Sequence, residues 1–148
     1  MSAVFGSARA YPVAMFRSVG ALGGDAIAIV VFVAIGLAQH GEPLSLANLL
    51  WVAWPFIAGM LLGHLAIRSW RRPFGIWPQG VFIWAITVVA GMALRTLLAM
   101  GTAPAFVAVT AVVTAVLMLG WRAVALYVTR AERTHRSAAD SSTNGSKA

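Results

Sequence analysis

The sequence contains no cysteine, and only 10% of its 148 residues are charged. The missing thiols exclude disulfides, thiolate zinc sites and cysteine nucleophiles. A soluble domain usually carries about 25% charged residues, so eleven basic and four acidic side chains are too few to cover a water-exposed surface. In contrast, 60% of the residues are hydrophobic and the mean hydropathy is +0.83. The composition therefore excludes an ordinary soluble enzyme and indicates an integral membrane protein.

Four apolar stretches are long enough to cross a bilayer, which takes about 20 helical residues. None of them has the alternating pattern that is typical of a membrane β-barrel strand. Because backbone polar groups inside a bilayer must be paired internally, the predicted fold class is all-α, a bundle of four transmembrane helices. The predicted transmembrane domain, residues 19–128, contains spans at about 19–38, 44–67, 78–100 and 104–128.

The basic residues are distributed unevenly along the chain. Ten of the eleven lie in the N-terminal arm, the second loop or the C-terminal flank, and the first and third loops contain none. Since basic loops remain cytoplasmic, both termini are predicted to be cytoplasmic, in the plasma (inner) membrane of a bacterium. Residues 1–18 are then a cytoplasmic arm, and residues 129–148 a disordered basic tail without an apolar face.

The same charge distribution indicates which partners the protein has and whether its first helix is a cleaved signal peptide. The basic residues flank spans instead of sharing one face, so we expect contact with the lipid bilayer and none with nucleic acid. Residues 1–38 also fit a secretory signal peptide, with Gly36-Leu37-Ala38 as its cleavage site. We expect the helix to be retained, because the basic region is long and the cleavage site only approximates the usual pattern.

Ionisable residues inside the predicted spans are functional hypotheses, because burying them in a bilayer costs free energy. Their depths, at 1.5 Å per residue, define two polar layers near opposite ends of the bundle. The predicted inner layer contains Asp25, His64 and Arg122, and the predicted outer layer contains Arg95, Gln39, His40 and Glu42.

Each of these residues has a functional and a structural interpretation. Asp25 is suited to coordinating a proton or a cation, or to a buried ion pair with Arg122. Arg95 is suited to binding an anionic headgroup, to snorkelling towards the interface, or to pairing with Glu42. His40 and Glu42 are only two possible metal ligands, and no second ligand pair accompanies them. We therefore predict no metal site.

Small residues and one proline predict how the helices pack. Gly59 and Gly63 form a G-x-x-x-G pattern, which allows a neighbouring helix to approach closely. Gly36 shares a helical face with Asp25, so we expect it to face the bundle interior. Pro55 lies inside the second span and is predicted to kink it.

The sequence contains no phosphate-binding loop, no Ser-His-Asp constellation and no paired carboxylates. We therefore predict no enzymatic activity, no catalytic residues and no cofactor. The predicted function is that of a non-enzymatic accessory or partner-binding bundle, alone, as a homo-oligomer or with another membrane protein. The alternatives are an oligomeric transporter of small solutes or ions that uses Asp25 and Arg95, and an enzyme on a lipid substrate whose phosphate Arg95 would hold.

The spans contain a sparse set of polar, aromatic and small residues: Asp25, Phe32, Gly36, His40, Pro55-Phe56, Gly59, Arg95, Phe106 and Gly120-Trp121-Arg122. With this set the chain resembles domain-of-unknown-function family 3054, which consists of small four-span membrane proteins of actinobacteria and haloarchaea. The resemblance covers about residues 22–123 and departs from the family where Met60, rather than Trp, follows Gly59. It implies no established activity, but it implies that Asp25, His40, Arg95 and Arg122 matter more than composition suggests.

Overall fold

The computed structural model describes residues 10–69 and 73–145, and of these the side chains of residues 17–69 and 73–131. This part of the chain is all-helical and contains no strand. A short π-helical turn, Ile76–Gly80, leads into the third helix. The four α-helices are α1 (Ala10–Gln39), α2 (Leu46–Ala66), α3 (Val81–Leu97) and α4 (Pro104–Gly145).

The four helices form a ring in which each packs against the next and α4 returns to α1. The most extensive packing is between α2 and α3. All four are long and apolar enough to cross a membrane, which confirms the predicted four-helix membrane bundle. Their apolar segments, which end within three residues of the predicted ones, are Arg17–Gln39, Leu46–Ala66, Ile76–Leu97 and Pro104–Ala131.

The structure differs from the prediction at both ends of the bundle. α1 begins at Ala10, inside the predicted arm, and α4 continues to Gly145 through the segment predicted as a disordered tail. Extending an existing helix needs no new nucleus, and residues 129–144 contain Ala, Arg and Glu but neither proline nor glycine. The prediction relied on an apolar face, which a helix that extends from a packed span does not require.

The core lies at the centre of the ring and takes side chains from every helix. The ring of Phe56 is fully buried and meets the ring of Phe32 edge-on, with centroids 5.7 Å apart. Gly91 of α3 also lies against the Phe56 ring, since a Cβ atom there would be 2.5 Å from it. The large apolar side chains of this core that are fully buried include Ile29, Phe56, Met60, Ile83 and Met118.

The small residues singled out in the sequence have different surroundings. Cβ atoms at Gly59 and Gly63 would lie 2.9 Å from the Thr87 carbonyl oxygen and 3.1 Å from the Ile83 Cα, so α2 runs close to the α3 backbone. Pro55 is fully buried inside α2. Gly36 differs from its expected packing role, because nothing lies within 4 Å of its Cβ position.

Candidate functional site

Asp25 lies at the centre of the largest buried polar cluster in the described part of the chain, and its side chain is fully buried. Its Oδ1 accepts hydrogen bonds from Nη1 of Arg122 and, at 2.9 Å, from Nε1 of Trp121. Its Oδ2 accepts from Nη2 of Arg122 at 2.6 Å and pairs with Nε2 of His64 at 2.9 Å. A carboxylate has about four acceptor positions, and here all four are occupied.

Two glycines, one in α1 and one in the π-helical turn, leave room for the two α4 donors to reach this carboxylate. A Cβ atom at Gly24 would lie 2.9 Å from the Trp121 ring, so α1 admits the indole only because this residue has no side chain. A Cβ atom at Gly80 would lie 3.1 Å from Cδ of Arg122. The guanidinium is further fixed by a hydrogen bond from Nη1 to the Met118 carbonyl oxygen, at 2.9 Å.

His64 links the carboxylate to the end of α2, because both nitrogens of its ring have partners. Nδ1 lies 2.6 Å from Oγ of Ser69. An ionised Asp25 only accepts hydrogen bonds, so Nε2 of His64 carries the proton. In neutral His64 the other nitrogen, Nδ1, then accepts the hydroxyl hydrogen of Ser69. The resulting group of Asp25, His64, Ser69, Trp121 and Arg122 is called the Asp25 network below.

Ser69 was missed by the sequence analysis, which found no Ser-His-Asp constellation. Five residues along a helix, Ser69 would lie about 140° away from His64. The helix has ended by then, and Arg68 takes a left-handed conformation with φ of +49°. This reversal returns the serine hydroxyl to the histidine ring, and no residue type in the segment signals it.

Aromatic and cationic groups extend the Asp25 network towards the surface. The Trp121 ring meets Phe74 edge-on, with centroids 5.9 Å apart. The guanidinium of the exposed Arg17 lies 5.4 Å above the Phe74 ring. Ser69 and Phe74, which flank the second loop, therefore both contact groups that bind Asp25.

The charges of the Asp25 network balance. One carboxylate meets one guanidinium through two parallel hydrogen bonds, the geometry in which Arg–carboxylate pairs are strongest. Among the described residues, Nε of Arg122 is buried without a hydrogen-bond partner. Removing either Asp25 or Arg122 from this ion pair would cost about 3–5 kcal/mol of stability, because the remaining charge stays buried. The arrangement therefore holds α1, α2 and α4 together and leaves the carboxylate no free acceptor position for a cation.

A sequence comparison identifies the chain's relatives. The profile of a family described as a protein of unknown function (DUF3054) matches residues 22–125, which is more than half of the chain. The chain belongs to the DUF3054 family. This confirms the resemblance drawn from the sparse residue pattern. No curated protein and no solved structure matches the chain.

The boundaries of the DUF3054 segment enclose the Asp25 network. The segment begins three residues before Asp25 and ends three residues after Arg122. The first turns of α1 and the part of α4 beyond residue 125 lie outside it. The DUF3054 segment is thus the four-helix bundle itself.

The second polar cluster of the DUF3054 bundle surrounds Arg95, which is 9% exposed. Its Nε and Nη2 donate to the Gly101 carbonyl oxygen at 3.3 and 3.2 Å, and Nη2 also donates to the Met100 carbonyl oxygen at 3.0 Å. Its Cζ lies 4.6 Å from the centroid of the Phe106 ring. The guanidinium therefore ties the end of α3 to the turn that follows and to the start of α4.

The outer polar layer expected from the sequence does not assemble around Arg95. Glu42 is exposed, and no carboxylate in the described part of the chain lies within 4.0 Å of the Arg95 guanidinium. The ion pair with Glu42, one of the three alternatives for Arg95, is therefore absent. His40 and Gln39 are exposed at the end of α1. The two clusters are far apart, since Phe106 and Arg122 are separated by about 24 Å along α4.

Proposed function

We propose that this DUF3054 protein is a non-enzymatic accessory or partner-binding bundle of the bacterial plasma membrane, with both termini in the cytoplasm. One observation carries the proposal: every acceptor position of the buried Asp25 carboxylate is occupied by a side chain of the bundle itself. The one acidic residue inside the spans thus has a structural task. It fixes the relative positions of three helices whose other faces remain available to lipid or protein.

The transporter alternative needs a carboxylate that exchanges ligands during each cycle. Binding a cation at Asp25 would displace either Arg122 or His64 and leave that group buried without its partner. Leaving a buried charge unpaired lowers the stability of the bundle by about 3–5 kcal/mol. No other charged group in the Asp25 network compensates for that loss. This cost supports a structural role for Asp25 over ion coordination.

The hydrogen-bonded row of Ser69, His64 and Asp25 has the same connectivity as the catalytic triad of a serine hydrolase. In a serine hydrolase the carboxylate orients the histidine ring, and the serine hydroxyl attacks the substrate. Here Arg122 donates a hydrogen bond to each oxygen of Asp25, and Ser69 is only 5% exposed. Both features support a buried hydrogen-bond chain that fixes the end of α2.

Reconstitution of the full-length protein in liposomes distinguishes an accessory bundle from a transporter. We expect no proton, sodium or potassium flux that differs between the wild type and Asp25→Glu, which retains the negative charge. A flux that Asp25→Glu abolishes while the variant remains folded would replace the accessory role by transport. A fluorophosphonate probe that labels the wild type but not Ser69→Ala would instead identify a hydrolase.

Partner binding is tested by placing a photo-crosslinking amino acid at one exposed position in each span of the full-length protein in cells. Val31, Leu62, Val89 and Val112 are suitable, since all are exposed apolar residues. We expect a discrete protein adduct from at least one of these sites and none from the fully buried Met118. An adduct of twice the chain mass indicates a homo-oligomer. The absence of adducts from all four sites would contradict partner binding through the spans.

A further inference from the structure

The Arg95 guanidinium is a buried cation without a counter-charge in the described part of the chain. Its polar partners are two backbone carbonyl oxygens, and its Nη1 is buried with no hydrogen-bond partner. Arg122, by comparison, is paired with Asp25. Buried charges in proteins are normally paired, because leaving them without an opposite charge costs several kcal/mol. The Arg95 cluster is therefore incomplete by one negative charge.

A second positive element lies beside this cation. The Phe106 ring, 4.6 Å from Cζ of Arg95, belongs to the first turn of α4. Backbone N–H groups in a first turn lack intrahelical acceptors, and the helix dipole makes this end positive. The first turn of α4 contains no acidic residue that would compensate it. Anions bind at helix N-termini for these reasons.

The hydrogen bonds already present fix the orientation of the guanidinium. Nε and Nη2 both donate to the Gly101 carbonyl oxygen, which leaves Nη1 as the nitrogen with unused donors. The two N–H groups of Nη1 are therefore available to donate to the oxygens of a phosphate group. The turn between α3 and α4, whose carbonyl oxygens hold the guanidinium, is exposed at Ala99 and Gly101, so the cluster lies directly beneath an exposed surface of the bundle.

We propose that Arg95, with the first turn of α4, binds a phosphate oxyanion at the α3–α4 turn. The oxyanion supplies the missing negative charge, and it comes from either a phospholipid headgroup or a soluble phosphate. This binding is independent of the accessory role proposed above, because it uses none of the residues of the Asp25 network.

Thermal unfolding of the purified full-length protein in a non-ionic detergent tests the site. Inorganic phosphate is titrated against chloride at equal ionic strength. In a parallel series, short-chain phosphatidylglycerol is compared with a diacylglycerol of the same chains, which has no phosphate. We expect the unfolding midpoint to rise with phosphate, with phosphatidylglycerol or with both, and to be unchanged by the matched controls.

Substitutions at Arg95 and at a control arginine test whether phosphate stabilises the protein through Arg95. Arg95→Gln should weaken the apparent phosphate affinity by at least about tenfold, the loss expected from one charge-assisted hydrogen-bonding group. Arg95→Lys, which retains the charge but loses the planar fork, should bind with intermediate affinity. Arg68→Gln is the matched control, since Arg68 is an exposed cation that follows α2. It should bind as the wild type does.

The outcomes separate the two sources and can overturn the site. A response to phosphate alone assigns a soluble anion, and a response to phosphatidylglycerol alone assigns a lipid headgroup. No stabilisation of the wild type by either overturns the proposal, as does equal loss in Arg68→Gln and Arg95→Gln. If Arg95→Gln does not fold, the guanidinium nitrogen resonance of Arg95 in the wild type, assigned with Arg95→Lys, is followed during the phosphate titration. An unchanged Arg95 resonance then overturns the proposal.

Discussion

Both Nη atoms of Arg122 donate to the carboxylate of Asp25, although the two residues are 97 positions apart in the chain. The pair joins the first and last helices of the bundle at a point where both side chains are fully buried. His64 adds the second helix through the remaining position on Oδ2. One carboxylate of α1 therefore joins three of the four helices through side-chain hydrogen bonds.

The first prediction concerns the ion pair itself. Asp25→Asn and Arg122→Gln should each lower the free energy of unfolding by about 3–5 kcal/mol, since each leaves an unpaired buried charge. The double variant should lose less than the sum, because it leaves neither charge. Unfolding in detergent, followed by circular dichroism, measures all three. Strictly additive losses would contradict a direct interaction between the two side chains.

The second prediction uses two neighbouring glycines of α1 with different surroundings. Gly24→Ala should destabilise the fold by about 1–3 kcal/mol, because the new methyl group would overlap the Trp121 ring. Gly23→Ala is the matched control, with nothing within 4 Å of its Cβ position. It should be neutral or stabilising, since alanine favours helix. Tryptophan fluorescence should change for Gly24→Ala alone, and equal effects at both positions would show that Trp121 does not pack on Gly24.

The third prediction concerns the hydrogen bond between Ser69 and His64. Ser69→Ala should cost about 1–3 kcal/mol, because it leaves a buried ring nitrogen without a partner. Thr129→Ala is the control, since its hydroxyl donates to the α4 backbone at an exposed position. That variant should unfold within about 0.5 kcal/mol of the wild type. A wild-type stability for Ser69→Ala would mean that Ser69 does not fix the end of α2.

The fourth prediction concerns topology, which follows from the distribution of basic residues. A green fluorescent protein fused after Ala148 should fluoresce, and alkaline phosphatase fused there should be inactive, because the C-terminus is predicted to be cytoplasmic. Alkaline phosphatase inserted after Gly41, in the loop without basic residues, should be active. The reverse pattern at the two sites would invert the orientation of the bundle.

Much of the fold could be predicted from the sequence, because the bilayer imposes a simple rule. Helices of about 20 apolar residues are one of the few ways to pair all backbone groups in hydrocarbon. Four apolar runs therefore predict four spans, and the depths of Asp25 and Arg122 along their helices indicate a shared layer. The helical extension of α4 to Gly145 could not be predicted in this way, since no apolar pattern continues there.

The tertiary structure alone decided which polar groups are paired. Depth along a helix does not specify the direction of a side chain, so Arg95 and Glu42 share a predicted layer but not a contact. The left-handed residue Arg68 returns Ser69 to His64, a reversal that local residue types do not signal. Composition and charge thus determined the fold class of this protein. The hydrogen bonds that complete the Asp25 network, and the missing counter-charge of Arg95, depend on how four helices pack around one another.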